Sequence, residues 1–108
     1  MRSFLKPPKE ERNGFKDKER LAKIAAMSCI ACDKADLKQL FRTEVHHLIG
    51  CGIGKKASDL LTIPLCSFHH RLGNKGEAIH ETPLHEWEEK YWTQEELIEL
   101  TNKMLESA

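Results

Sequence analysis

Two short-spaced pairs of metal-ligand residues constrain the fold of this chain more than any other feature. Cys29 and Cys32 form a Cys-x-x-Cys pair, and Cys66 and His69 form a Cys-x-x-His pair. A two-residue spacer lets one tight turn, expected over residues 28–36 for the first pair, aim both side chains at one ion, and structural zinc takes four such ligands. The pattern therefore predicts one structural zinc held by these four side chains. The alternative is two buried free cysteines and two unrelated residues that share no ion.

The segment between the two pairs carries a second pattern. Residues 42–48, "RTEVHHL", and residues 60–66, "LLTIPLC", are rich in β-branched and apolar side chains and predict two strands. Residues 49–59 hold three glycines and predict a loop, while residues 67–72, "SFHHRL", begin a short helix. The order strand, loop, strand, helix predicts a small α+β fold in which zinc joins both ends of a β-hairpin.

Helices are predicted on both sides of this core. Residues 17–27 place apolar side chains on one helical face. Residues 83–92 follow Thr82, which we expect to cap that helix, and residues 94–105 follow a Thr-x-x-Glu capping box that begins at Thr93. The sequence thus predicts an N-terminal helix and two C-terminal helices around the hairpin.

The net charge of zero hides a strong asymmetry. Basic residues exceed acidic ones by six over residues 1–80, and acidic residues exceed basic ones by six over residues 81–108. The first part could meet a polyanion, although such runs are often merely solvated. Residues 1–14 hold prolines and many charges and predict a basic flexible arm. Without a long apolar run or a signal-like segment, a cytoplasmic location and no membrane contact are expected.

The sequence contains two pairs of adjacent histidines whose function has to be explained. His46 and His47 lie on the first predicted strand, where neighbouring side chains point to opposite faces. His70 directly follows His69 in the predicted helix, so its ring should point away from the zinc. The histidine pair on the strand is an accident, a zinc site, or a metal ligand beside a general base. In the last case one strand ring and His70 converge on a second ion that keeps open positions.

The quoted motifs resemble a known nuclease family. "CIAC", "VHHLIG" and "IPLCSFHH", all within residues 27–80, look like an HNH endonuclease with a ββα-metal core and a zinc knuckle. They are most similar to the phage Ref-like nucleases that are associated with recombination. The resemblance implies an HNH-like, treble-clef-like core, a single nuclease domain over residues 15–108, and metal-dependent hydrolysis of DNA by a phage- or prophage-borne enzyme.

The resemblance also implies roles for individual residues. His47 matches the general base that activates water, and His46 and His70 match ligands of the catalytic divalent ion. His80 matches a later histidine of the Ref-like proteins and would act on the phosphate or on the metal. Asp59 lies near the place of the middle asparagine of many HNH motifs, but its spacing differs and its role stays open.

The resemblance to HNH endonucleases also indicates a catalytic metal ion and a binding partner. Mg²⁺ is the expected catalytic ion, with Mn²⁺, Ni²⁺ and a second Zn²⁺ as alternatives because imidazole ligands suit transition metals. DNA is the expected partner, contacted by Lys55, Lys56 and Arg71, although loop lysines also serve solubility. A recombinase filament or a phage replication or recombination protein is a further candidate partner, and the oligomeric state stays open.

Two other functions remain open on the sequence alone. A non-catalytic zinc module that binds nucleic acid or protein needs only the four zinc ligands, and it leaves His46, His47 and His70 without a use. A nuclease toxin has the same chemistry as the leading prediction and would be paired with an immunity partner. Nicking of plasmid DNA with Mg²⁺ and with chelator separates the zinc module from the nuclease.

Overall fold

The computed structural model describes residues 14–50 and 57–107. Most of the predicted arm, and also Lys55 and Lys56, lie outside these residues. Over the described part the chain is an α+β fold with one two-stranded sheet, as predicted. The elements follow in this order: α1 (Lys18–Ala25), α2 (Ile30–Lys34), β1 (Thr43–His47), β2 (Thr62–Cys66), a π-helix (Phe68–Leu72), a 3₁₀ turn (Ile79–Glu81), α3 (Leu84–Tyr91) and α4 (Gln94–Ser107).

The two strands form an antiparallel hairpin whose register decides where the histidines point. Glu44 pairs with Leu65, His46 with Ile63, and His47 is opposite the first residue of β2. Because side chains alternate along a strand, Glu44 and His46 share one face of the sheet and His47 belongs to the other. Every residue of β2 is buried, whereas β1 is mostly half-buried. The buried strand thus anchors the hairpin.

The C-terminal helices cover the core. Trp87 and Tyr91 of α3 and Leu97 of α4 are buried in one cluster with Ile63 and Leu65 of the hairpin. The capping box of α4 is confirmed, since the Thr93 hydroxyl accepts a hydrogen bond from the amide of the residue three positions on at 3.1 Å. None of the helices in the described residues is long and apolar enough to cross a membrane.

Two local expectations were wrong. The segment with the first cysteine pair is not a simple turn, because Cys29 caps the short helix α2 and Cys32 lies inside it. Thr82 does not cap α3, since Pro83 occupies that position. The Thr82 hydroxyl instead donates to the carbonyl of Ala78 at 2.6 Å and accepts from the amide of Gly76 at 2.8 Å. This hydroxyl therefore closes the turn before the helix.

Arg20 ties three elements together. Its Nε donates to Thr62 Oγ1 at 2.9 Å and its Nη2 to the Thr62 carbonyl at 2.9 Å, while its Nη1 donates to Asn102 Oδ1 at 2.7 Å. Burial lowers the pKa of Arg20, and the charge of Asp17 partly offsets this effect. The guanidinium thus links α1, β2 and α4 in a partly dry environment.

We expect Arg20→Met to destabilise the fold by about 1–3 kcal/mol, because the buried polar groups of Thr62 lose their donors. The measurement is the free energy of unfolding in urea. Lys18→Met is the matched control, since Lys18 lies in the same helix and is exposed. Equal stabilities of the two variants would contradict the structural role of Arg20.

Candidate metal centres

The first centre brings both predicted ligand pairs together. Cys29 and Cys32 come from the start of α2, Cys66 ends β2, and His69 lies in the π-helix. All four residues are buried, and one ligand atom from each lies within 4.8 Å of the others. The hairpin closes the long gap between the pairs by returning the chain to α2.

The distances in this centre fit a tetrahedral ion. The Sγ atoms of Cys32 and Cys66 are 3.9 Å apart. His69 Nδ1 lies 3.3 Å from Cys66 Sγ, 3.4 Å from Cys32 Sγ and 3.7 Å from Cys29 Sγ. Tetrahedral zinc with its usual bond lengths separates its sulfur and nitrogen ligands by about 3.6–3.8 Å. The Cys₃His set can therefore hold a structural metal ion.

Electrostatics supports the same conclusion. Burial raises the pKa of the Cys29 thiol, and burial together with the charge of Cys29 raises the pKa of the Cys32 thiol. Clustered buried thiolates are unfavourable without a cation between them. Burial also lowers the pKa of His69, which keeps its imidazole in the neutral form that binds metal. The Cys32 amide donates to Cys29 Sγ at 3.4 Å and so supports a thiolate there.

A second cluster consists of three histidines. His46 of β1, His70 of the π-helix and His80 of the 3₁₀ turn each place a ring nitrogen within 4.8 Å of the others. The Nε2 atoms of His70 and His80 are 3.1 Å apart. His46 is buried, His70 is half-buried and His80 is exposed, so this histidine triad opens to solvent on one side.

The triad offers nitrogen atoms that could hold a metal ion. Nδ1 of His46 is buried and has no hydrogen-bond partner among the residues described. Burial lowers the pKa of His46 to about 4, so its imidazole is neutral near pH 7. The Nδ1 of His70 lies 2.9 Å from Glu44 Oε1, and a carboxylate only accepts, so in the neutral ring of His70 Nε2 is the lone-pair atom. Neutral imidazoles with their other nitrogen engaged are the usual metal ligands.

His47 makes a separate contact on the other face of β1. Its Nε2 lies 2.7 Å from Asp59 Oδ1. The other carboxylate oxygen of Asp59 accepts from the amide of Asp17 at 2.7 Å, and the Asp59 amide donates to the Phe15 carbonyl at 2.9 Å. The carboxylate therefore holds the proton on Nε2 and leaves Nδ1 of His47 as the basic atom.

Two residues of the site were not singled out from the sequence. Glu44 accepts from His70 and also from Arg71, whose Nη2 lies 2.7 Å from Glu44 Oε2. The pairing with Arg71, then the bond with His70, lowers the pKa of Glu44. The position of Glu44 two residues before His46 on one strand was a usable signal. Gln94 Oε1 lies 3.0 Å from His46 Nε2, and no local pattern points to it.

The predicted site residues thus divide into groups. The four zinc ligands meet in one centre, and His46 and His70 meet in the other together with His80. Asp59 contacts His47 rather than a metal cluster. Lys55 and Lys56 lie outside the described residues, and the exposed guanidinium of Arg71 is paired with Glu44.

The fold and the first centre define a small α+β protein with a Cys₃His site that can bind zinc. The chain belongs to the family described as "Protein of unknown function (DUF968)", whose sequence model matches residues 1–108. It is 35% identical over 99 residues to the "Uncharacterized protein YdfU" of Escherichia coli (strain K12), a match that covers 89% of this chain and 24% of that protein. The chain thus spans about a quarter of the length of this relative. No solved structure gives a significant match.

Proposed function

We propose that this chain is a metal-dependent phosphodiester hydrolase of the HNH class that cleaves DNA. The proposal rests on two different contacts that consecutive residues of β1 make. His46 belongs to the histidine triad, and His47 is held by Asp59. A metal ligand and an oriented base on one rigid strand are the groups that hydrolysis of a phosphodiester needs.

The order of the elements supports a ββα-metal core. β1 and β2 form the hairpin, and the π-helix follows β2 after a single residue. His69 and His70 are adjacent in that helix, yet the first belongs to the Cys₃His centre and the second to the histidine triad. The structural ion would therefore fix the helix that presents a ligand to the other ion.

The imidazole nitrogens of the histidine triad indicate which metal ion would bind there. Imidazole nitrogens suit zinc, nickel and other transition metals, whereas Mg²⁺ prefers oxygen ligands. The triad therefore favours a transition metal over the Mg²⁺ expected from the resemblance. Such an ion, when bound, would stabilise negative charge on the scissile phosphate and on the leaving oxygen.

The side chains divide the remaining work. His47 accepts a proton from the attacking water through Nδ1, and Asp59 keeps its ring oriented and stabilises the imidazolium that forms. His80 is the exposed member of the triad and lies at its solvent side, where a phosphate would arrive. Arg71 would meet a phosphate by exchanging its Glu44 partner for it, since a carboxylate and a phosphate can each accept two parallel hydrogen bonds from a guanidinium.

DNA contacts beyond the site are proposed on charge alone. The excess of basic residues over residues 1–80 would position the phosphate backbone without reading the bases. A recombinase filament as partner and a phage setting stay predictions from the resemblance. A zinc module without catalysis would need only the first centre, and it would leave the histidine triad and the pair of His47 and Asp59 without a use.

We expect the purified protein to nick supercoiled plasmid DNA with an added divalent metal and to lose this activity in chelator. His80→Ala should need at least ~10-fold more metal for half-maximal nicking, since the loss of a ligand exceeds the roughly 10- to 100-fold cost of losing an outer partner. His85→Ala is the matched control, because His85 is also exposed but lies in α3 away from the triad.

The outcomes separate the functions cleanly. Failure of the parent protein to nick DNA with Mg²⁺, Mn²⁺, Ni²⁺, Co²⁺ or Zn²⁺ would leave the zinc module in front. Equal metal requirements of the His80→Ala and His85→Ala variants would remove His80 from the metal site.

A further inference from the structure

We infer that Gln94 is a positioning residue that selects the metal-binding tautomer of His46. The inference rests on the metal site of the proposed function and concerns a residue of α4, outside the segment that carries the nuclease motifs. Gln94 is buried, and its side-chain amide reaches both the ring of His46 and the backbone of Ile49.

The backbone of Ile49 fixes which way the amide points. The Ile49 amide donates to Gln94 Oε1 at 2.9 Å, and Gln94 Nε2 donates to the Ile49 carbonyl at 3.2 Å. If the side-chain amide were reversed, Nε2 would face the Ile49 N–H, donor against donor. Oε1 would then face the Ile49 carbonyl, acceptor against acceptor. The atom that meets His46 is therefore the carbonyl oxygen of the side chain, which can only accept.

The consequence for His46 follows directly. Its Nε2 lies 3.0 Å from that oxygen and must carry the ring proton in order to donate. A neutral imidazole carries a proton on only one of its two nitrogens, so Nδ1 is the lone-pair atom. This is the same nitrogen that is buried without a partner in the part of the chain described. Gln94 thus leaves Nδ1 of His46 as the nitrogen that can bind a metal, before any metal arrives.

The chain accepts backbone strain to place Gln94. Trp92, between α3 and α4, has φ +90° and ψ +157°, a region that residues other than glycine rarely occupy. This sharp turn lets α4 begin at Gln94, whose amide donates to Glu88 Oε2 at 2.7 Å. The turn therefore places the first residue of α4 beside His46 and Ile49, and α4 thereby contributes a contact to the proposed metal site.

The first test is the affinity for Co²⁺, measured by visible absorption on protein whose Cys₃His centre is filled with zinc. Gln94→Leu keeps the approximate size and removes the acceptor, so we expect its affinity to fall by about 10- to 100-fold. Gln94→Glu restores an acceptor and should lie closer to the parent than to Gln94→Leu. Thr101→Val is the matched control, since Thr101 is a buried polar residue of the same helix whose hydroxyl donates to the Leu97 carbonyl at 2.8 Å.

The second test reads the tautomer without a metal in the triad. Ring ¹⁵N shifts of His46 should show a protonated Nε2 and a bare Nδ1 in the parent, in Gln94→Glu and in Thr101→Val. In Gln94→Leu the signals should move towards a mixture of both tautomers. This readout does not depend on activity, and a merely structural role for Gln94 would not move it.

The outcomes are distinguishable from failure of the proposed function. If the parent takes up no Co²⁺ beyond its zinc, the proposed metal site fails. If the parent binds Co²⁺ and Gln94→Leu binds it equally well, with an unchanged tautomer of His46, the inference on Gln94 is overturned and the proposed function stands. If Gln94→Leu does not fold, the comparison of Gln94→Glu with Thr101→Val decides, and a loss of the Nε2–H tautomer in Gln94→Glu overturns the inference.

Discussion

Cys32→Ser is expected to unfold the protein and to abolish its stoichiometric zinc. Structural zinc contributes about 10–16 kcal/mol in zinc-finger peptides, which equals or exceeds the whole net stability of a typical domain, about 5–15 kcal/mol. Cys32 is buried between Cys66 and His69, so its loss opens the ligand shell at its centre. Elemental analysis and far-UV circular dichroism of the purified variant measure the two effects.

A matched control exists in the same chain. Cys51 has no partner at two-residue spacing and lies outside the described residues. Cys51→Ser should therefore keep one zinc per chain and the parental melting temperature. A parent protein that purifies without zinc and is nevertheless fully folded would contradict the structural role of the Cys₃His centre.

The sequence was most informative where chemistry is local. Two-residue spacing brings Cys29 next to Cys32 and Cys66 next to His69 in any tight turn or helix start. Joining the pairs needed only a hairpin between them, and hairpins return the chain to its origin. For this reason both the ligand set and the α+β class could be predicted, although α2 was mistaken for a simple turn.

Two contacts of the site escaped prediction, although Asp59 itself was a candidate site residue. Gln94 meets His46 across 48 positions, and Asp59 meets His47 through a loop whose length does not fix its path. Neither contact leaves a periodic or spacing signal, because each depends on how α4 and residues 57–59 pack against the hairpin. The position of Glu44 could have been predicted in part, since strand alternation alone places it on the face of His46.

In both pairs of adjacent histidines, the two neighbouring residues have different roles. His46 and His47 diverge because successive residues of a strand face opposite ways, and His69 and His70 diverge because they are successive in a helix. His69 and His70 thus belong to two different clusters, whereas His46 belongs to the histidine triad and His47 pairs with Asp59. A single peptide bond in the π-helix, between His69 and His70, joins the Cys₃His centre to the histidine triad.

His47→Ala is expected to lower the rate of DNA nicking by roughly 10²–10⁴-fold, the usual contribution of a positioned general base. The fold and both metal contents should persist, because His47 is only half-buried and belongs to neither cluster. Asp59→Asn should also slow nicking, since an amide can donate to Nε2 and so favour the wrong tautomer of His47. The measurement is single-turnover nicking at saturating metal.

His46→Ala separates the base from the ligand on the same strand. This variant should lose the second metal at low concentration and regain part of its rate when more metal is added, because a weakened site can still be filled by mass action. The rate of His47→Ala should not respond to added metal, since water activation and not metal binding is impaired. A folded His47→Ala protein that nicks DNA at the parental rate would leave the pair of His47 and Asp59 with a structural role only.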